Sequence, residues 1–201
     1  MGDEMRKVVA VEYVTVDGVM TDPGGVGEIE HGGWSAPYFN DELANCQSDQ
    51  LFASDALLLG RVTFEGFAAA WPSMEETEGD FAVRMNALPK YVASTSLDEP
   101  LAWNGTLLKS DLAEEVAKLK QQPGQDLLIY GSGELVNALH PHRLIDEYTL
   151  MVFPVTLGVG KHLFREGTDK TDLKLTDART TSTGVAILTY RTSGKPDALP
   201  H

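Results

Sequence analysis

Only one cysteine, Cys46, occurs in the 201 residues, so neither an intrachain disulfide nor a multi-cysteine zinc site can form. It sits among apolar positions at helical spacing (Leu43, Cys46, Leu51) and reads as a small packed residue rather than a nucleophile. No run is long enough to span a membrane. The charged start, residues 1–7, leads into a strand instead of the apolar core of a signal peptide, so the expected location is the cytoplasm. Positive charge is scarce: 16 lysines and arginines face 30 aspartates and glutamates, a formal net charge of −14. No basic patch offsets it, which argues against DNA, RNA or a membrane as partner. A small anionic ligand needs only local compensation, from N–H groups and one or two arginines. Internal repeats are absent, and a composition of 42% hydrophobic and 23% charged residues suits one globular domain. We take it as residues 1–192, followed by a polar tail at 193–201.

The most informative stretch is Asp126 to Leu139. Leu127, Leu128, Ile129 and Tyr130 in a row read as a strand buried on both faces. The strand stops at Gly131-Ser132-Gly133, where a helical pattern begins (Leu135, Val136, Leu139) that Pro141 limits. Such a turn points backbone N–H groups outward at a helix start, where the dipole also favours an anion such as phosphate. The same two glycines also suit a plain tight turn. The fingerprint Gly-x-Gly-x-x-Gly is not met, because Val136 holds the third glycine position.

Read from the start, Val8 to Val16 is a strong β-run ending at the turn Asp17-Gly18. A long glycine-rich loop at 20–34 follows, placed to be a lid or one wall of a pocket. Residues 37–54 show a helical pattern, 55–60 a second buried strand. At Gly60-Arg61-Val62-Thr63 the chain turns into a helix (Phe64, Phe67, Ala68, Trp71) closed by Pro72. Residues 75–80 are expected to be a solvated acidic loop, 81–88 a short helix and 90–94 a third strand that ends in Ser94-Thr95-Ser96. Residues 106–108 make a short edge strand. Asp111-Leu112-Ala113-Glu114 fits a capping box, with Glu114 paired to Lys118 one turn on. A long strand at 145–155 and an antiparallel pair at 173–180 and 185–190 finish the chain. Phe39 and Phe67 are expected in the core. The order predicts an α/β protein with a mixed sheet, parallel in the middle and antiparallel at one edge.

Three strand ends therefore carry similar chemistry: Gly60 to Thr63, Ser94 to Ser96, and Gly131 to Gly133. In open α/β sheets ligands sit outside the carboxyl ends of parallel strands, so all three converge on one crevice. Two helix starts and one arginine suit a dinucleotide bearing an additional monophosphate.

The motifs Val14-Thr15-Val16-Asp17-Gly18, Gly60-Arg61-Val62-Thr63-Phe64-Glu65, Val92-Ala93-Ser94-Thr95, Tyr130-Gly131-Ser132-Gly133 and Pro154-Val155-Thr156-Leu157-Gly158-Val159-Gly160 stand in one order over residues 7–191. In that order the chain resembles the dihydrofolate reductase-like superfamily, in the branch of the reductase domain of the bifunctional riboflavin-biosynthesis deaminase–reductase. The resemblance implies a three-layer α/β/α fold with a mixed, mainly parallel central sheet, and NADPH as cofactor. It implies that Gly60, Arg61, Val62 and Thr63 hold phosphate groups and that Ser94 and Thr95 lie near the adenosine ribose and its 2′-phosphate. Tyr130, Gly131, Ser132, Gly133, Glu134 and Leu135 would pack against the pyrophosphate and nicotinamide. It further implies a cis peptide at Gly131–Ser132 and a homodimer formed through the C-terminal β-segment.

The chain departs from true dihydrofolate reductases, which carry a pteridine-binding carboxylate on the first helix. No acid stands in register within 43–47, and Asp41, Glu42 and Asp49 read as solvated charges. The deaminase half is absent. Asp17 is the candidate proton donor or relay, although an Asp-Gly turn explains it more simply. Thr15, Asp17 and Trp34 are candidates to touch substrate; Trp34 would stack on a ring or anchor its own loop. His140-Pro141-His142 lacks a third ligand, so no metal is expected. Gly158-Val159-Gly160-Lys161 reads as a tight turn near the nicotinamide or at a dimer contact. The expected activity is hydride transfer from NADPH to a pterin- or ribosylaminopyrimidine-like small molecule. The alternative is a nucleotide-binding or regulatory module on the same fold.

Overall fold

Strings of valine and leucine, each closed by glycine, proline or a polar turn, decide where this chain becomes sheet. The computed structural model describes residues 5–193, so the expected charged start and polar tail lie largely outside the described residues. Within them one sheet is built from β1 (Val8–Thr15), β2 (Ser54–Gly60), β3 (Lys90–Ala93), β4 (Gly105–Leu108), β5 (Asp126–Tyr130), β6 (Glu147–Phe153), β7 (Leu173–Thr180) and β8 (Ala186–Thr192). Their order across the sheet is β4-β3-β2-β5-β1-β6-β8-β7. Neighbours from β4 to β6 run parallel. The β6–β8 and β8–β7 pairs are antiparallel. This is the mixed, mainly parallel sheet that the sequence pattern predicts.

Parallel strands joined by helical crossovers have both faces covered, which is why β2 and β5 are apolar throughout their centres. Leu57, Leu59 and Leu128 face one core, shared with α1 (Asp41–Phe52), α2 (Arg61–Ala70) and α3 (Glu75–Ala87). Leu58, Leu127 and Ile129 face the other, closed by α4 (Leu112–Lys120) and α5 (Gly133–Leu139). Each such side chain, taken fully out of water, contributes about 1.5–3 kcal/mol.

Four local expectations need correction. The acidic stretch 75–80 is not a loop but the start of α3, interrupted at Gly79 (φ 55°). Glu75, Glu76 and Glu78 sit where the helix presents its unpaired N–H groups, so their charge favours the helix there. Lys118 pairs with Glu115 at 3.1 Å, not with Glu114. Asp111 does cap α4, its carboxylate accepting the Glu114 N–H at 3.0 Å. Phe39 is 51% exposed instead of buried, because it follows the short 3-10 turn Ala36–Tyr38 and precedes the α1 cap Asn40. The 145–155 strand shortens to β6; at its far end Pro154 has no N–H to continue the ladder.

Candidate active site

The sheet reverses its winding between β5 and β1. From β1 the chain crosses by α1 to β2 on one side; from β5 it crosses by α5 to β6 on the other. The carboxyl ends of β1 and β5 therefore flank a crevice at the topological switch point, the usual ligand position in such sheets.

Two of the predicted strand tips are joined there directly. The Gly60 N–H donates to Ser132 Oγ at 2.9 Å, tying the end of β2 to the turn after β5. A Cβ on Gly131 would stand 3.7 Å from Thr63 Oγ1, so the two turns lie side by side. Gly131 and Ser132 both take left-handed backbone (φ 57° and 65°), and the bond between them is not cis, contrary to what the resemblance implies. The cis peptide recorded among the described residues is Glu99–Pro100. Two consecutive left-handed residues turn the strand into α5 instead.

The third tip joins through Arg61, whose Nη1 donates to Ser96 Oγ at 2.8 Å while its Nε meets Glu65 at 3.2 Å. Ser96 thus reaches the guanidinium, next to Ser94 and Thr95, which the resemblance sets near the ribose and its 2′-phosphate. Ser94 Oγ is used by its own turn, accepting the Ser96 and Leu97 N–H groups. Thr95 is exposed beside it. Gly60 caps α2 without a side chain, and no acidic residue stands in the first turn of that helix. The N–H groups of Arg61, Val62 and Thr63 with the Arg61 guanidinium form a donor set that fits a phosphate. Tyr130 and Leu135 are core side chains, 6% and 3% exposed, so only their backbone can meet a ligand. Glu134 lies in an open cleft of about 410 Å³ with Lys161, His162 and Arg165. Its carboxylate is held by Arg165 and stands 4.0 Å from Lys161.

Asp17 is placed differently from a proton donor. Its carboxylate accepts from Thr15 Oγ1 (2.5 Å), Gly158 N–H (2.7 Å) and Leu157 N–H (3.1 Å). The Thr15 hydroxyl, then the Gly158 and Leu157 N–H groups, hold its pKa below the ordinary aspartate value. A carboxylate kept ionised in this way has no proton to give near neutrality. Asp17 instead pins the loop after β6 to the turn after β1, and Thr15, buried and bonded to Asp17 and to the Val19 N–H, is spent on the same turn. The 158–161 turn, expected near the nicotinamide or at a dimer contact, packs on that turn. Met20 N–H donates to the Lys161 carbonyl and Lys161 N–H to Thr21 Oγ1.

The 20–34 loop is a wall rather than a loose lid. Asp22, 5% exposed, gathers the N–H groups of Val26 (2.6 Å), Glu28 (2.9 Å) and Gly27 (3.1 Å) on its carboxylate. Burial opposes that charge, but the three donors outweigh it and lower the pKa. Trp34 is buried at 6% and donates Nε1–H to the Thr21 carbonyl at 2.7 Å, so it anchors its own segment instead of offering a free ring face. Sequence reading missed Asp22; its signal is an aspartate directly before Pro23-Gly24-Gly25.

The chain matches the model of the RibD C-terminal domain over residues 6–187. The Bacillus subtilis (strain 168) protein YyaP is 33% identical over 149 residues, 73% of this chain and 79% of that protein. A Shewanella sp. PV-4 protein attributed to riboflavin biosynthesis superposes with a TM-score of 0.73 at 20% identity, covering 94% of this chain and 99% of that one. Enterococcus faecalis dihydrofolate reductase, solved with NADP(H), gives a TM-score of 0.62 at 14% identity, covering 94% and 97%. At these identities the two superpositions establish a shared fold. Among the described residues no helix is long and apolar enough to cross a membrane.

Proposed function

Because the chain belongs to the RibD C-terminal domain family, we propose that it is an NADPH-dependent reductase acting on the C=N or C=O carbon of a pterin- or ribosylaminopyrimidine-like molecule. The observation that carries this reading is the meeting of three strand tips beside the switch point, with Gly60 bonded to Ser132 and Arg61 to Ser96. NADPH, when bound, supplies the hydride; the protein supplies orientation and electrostatics. Arg61 with Ser94, Thr95 and Ser96 would hold the 2′-phosphate, and the first N–H groups of α2 a second phosphate. The Gly131-Ser132-Gly133 turn would meet the pyrophosphate and nicotinamide through its backbone. Asp17 and Asp22 keep the two flanking loops in place.

A fluorescence titration with NADPH and NADH tests the cofactor. Wild-type protein is expected to prefer NADPH, and Arg61→Ala to weaken NADPH by about 10- to 100-fold while leaving NADH nearly unchanged, as loss of a charge-assisted contact implies. Equal response to both dinucleotides removes the assignment. NADPH oxidation is then followed across pterins, ribosylaminopyrimidines and small carbonyls. NADPH binding without turnover on any of them favours the non-catalytic module, for which the lack of an acid at the α1 positions facing the sheet speaks. The C-terminal homodimer is checked by light scattering on the eluted protein.

A further inference from the structure

Two of the chain's 16 lysines and arginines stand beside the crevice on a backbone ribbon that is held on both sides. Past β6 the segment 160–163 is laid across the turn after β1. Met20 N–H donates to the Lys161 carbonyl at 2.9 Å, Lys161 N–H to Thr21 Oγ1 at 2.7 Å, and Leu163 N–H to the Gly18 carbonyl at 3.1 Å. From α5, Asn137 Nδ2 donates to the Leu163 carbonyl at 2.6 Å. Met20 also lies on the turn after β5, where a Cβ on Gly133 would stand 2.3 Å from its Sδ. The ribbon, the Gly131-Ser132-Gly133 turn and α5 are therefore one packed unit. It carries Lys161, and Arg165 four residues on, to the edge of the open cleft that Glu134 shares with them.

What these two cations hold is a carboxylate of the chain itself. Glu134, in the first turn of α5, sets one oxygen on Arg165 and the other 4.0 Å from the Lys161 ammonium. Glu166, the second acid lining the cleft, pairs with neither cation. An acid at the Glu134 position favours its helix, because its charge stands near unpaired N–H groups. That benefit needs no cation from the ribbon, yet Glu134 has two. Arg165 is about half-exposed and the other two side chains more so, and ion pairs of that kind are weak. One carboxylate between two cations leaves a positive charge for an arriving anion, and a diphosphate has oxygens enough to serve both.

We infer that Glu134 is an internal stand-in for a ligand's diphosphate: it occupies Lys161 and Arg165 until that group arrives, then gives both cations up to it. The inference rests on the reductase reading for the ligand, whose dinucleotide would bring a diphosphate to the turn directly before Glu134. It adds two cations to that site and one carboxylate that lowers affinity. A chloride or a single carboxylate gains nothing by the exchange, so the stand-in selects for a group of higher charge.

Inorganic pyrophosphate, NADH and NADPH serve as probes in calorimetric titrations of wild-type protein, Glu134→Gln and a double variant, Lys161→Met with Arg165→Met. Glu134→Gln is expected to tighten all three by about 3- to 5-fold, and the double variant to weaken them by about 10-fold. The preference for NADPH over NADH should not move, because the diphosphate is common to both. With all three residues changed, the gain from Glu134→Gln should vanish. Unchanged or weaker pyrophosphate binding in Glu134→Gln, or a gain that survives the loss of both cations, overturns the inference. Should the double variant fold poorly, wild-type protein decides: pyrophosphate must shift the Arg165 Nε–H resonance, and an unmoved resonance overturns it. Pyrophosphate binding that depends on Glu134, Lys161 and Arg165, with neither dinucleotide bound, ends the reductase reading and leaves this inference standing. Dinucleotide binding indifferent to all three residues does the reverse.

Discussion

Glu12→Leu raises the stability of the folded chain by about 1–3 kcal/mol, the cost of leaving a buried polar group without partners. For a chain of this length that corresponds to about 2–4 °C in Tm per kcal/mol. Glu12 sits in the middle of β1 at 0% exposure, and neither carboxyl oxygen has a hydrogen-bond partner. Burial pushes its pKa well above the ordinary value of 4.5, so the folded state holds a proton that the unfolded chain gives up. The sign follows from that difference. The folded state binds more protons above pH 4.5, and stability falls as pH rises from there towards the raised value. Tyr148 feels the same carboxyl, which adds to burial in raising the tyrosine pKa. Urea denaturation at pH 5 and pH 8 tests the point: the gap between Glu12→Leu and wild type should widen at the higher pH. Parallel curves would show that Glu12 finds a partner or a water in solution.

Trp103→Leu is expected to cost about 3 kcal/mol, and part of the loss belongs to a different residue. Lys90 is fully buried, with its ammonium 3.9 Å from the centre of the Trp103 ring and 2.9 Å from the Asn86 carbonyl it donates to. Trp103 in turn donates Nε1–H to Asn86 Oδ1 at 2.7 Å, so one asparagine braces both partners. Removing the ring leaves a buried cation with a single acceptor. In a Lys90→Met background the same change should cost about 2 kcal/mol less, the worth of a desolvated cation–π contact. Burial lowers the Lys90 pKa from 10.5 to about 8. The unfolded chain therefore binds more protons between those values, and wild-type stability should rise with pH across that window. A double-mutant cycle by denaturant titration measures the coupling, and an interaction energy near zero would dismiss the cation–π account.

The sequence makes the sheet legible because its central strands are apolar on both faces, and runs such as Leu57-Leu58-Leu59 and Leu127-Leu128-Ile129 leave few other readings. It makes the convergence of strand tips legible because glycine, arginine and hydroxyl residues follow those runs directly. It is silent where side-chain type does not decide direction. Ser94, Thr95 and Ser96 are chemically alike, and only the turn that consumes Ser94 Oγ hands Arg61 to Ser96. Asp17 looks like an available acid until the N–H groups of Leu157 and Gly158, 140 and 141 residues away, are seen to hold it. Glu75 to Glu78 read as solvated loop because composition dominates there, although the same charges suit the first turn of a helix.

The Asp22 knot has a kinetic consequence. A glycine-rich connector normally loses much conformational freedom when a ligand arrives, which slows capture and weakens the complex. Here one carboxylate has already drawn three consecutive amides of that connector together. A small molecule approaching the crevice therefore meets a rim that is in place beforehand, and its observed binding rate should climb in simple proportion to concentration, without a plateau set by slow rearrangement.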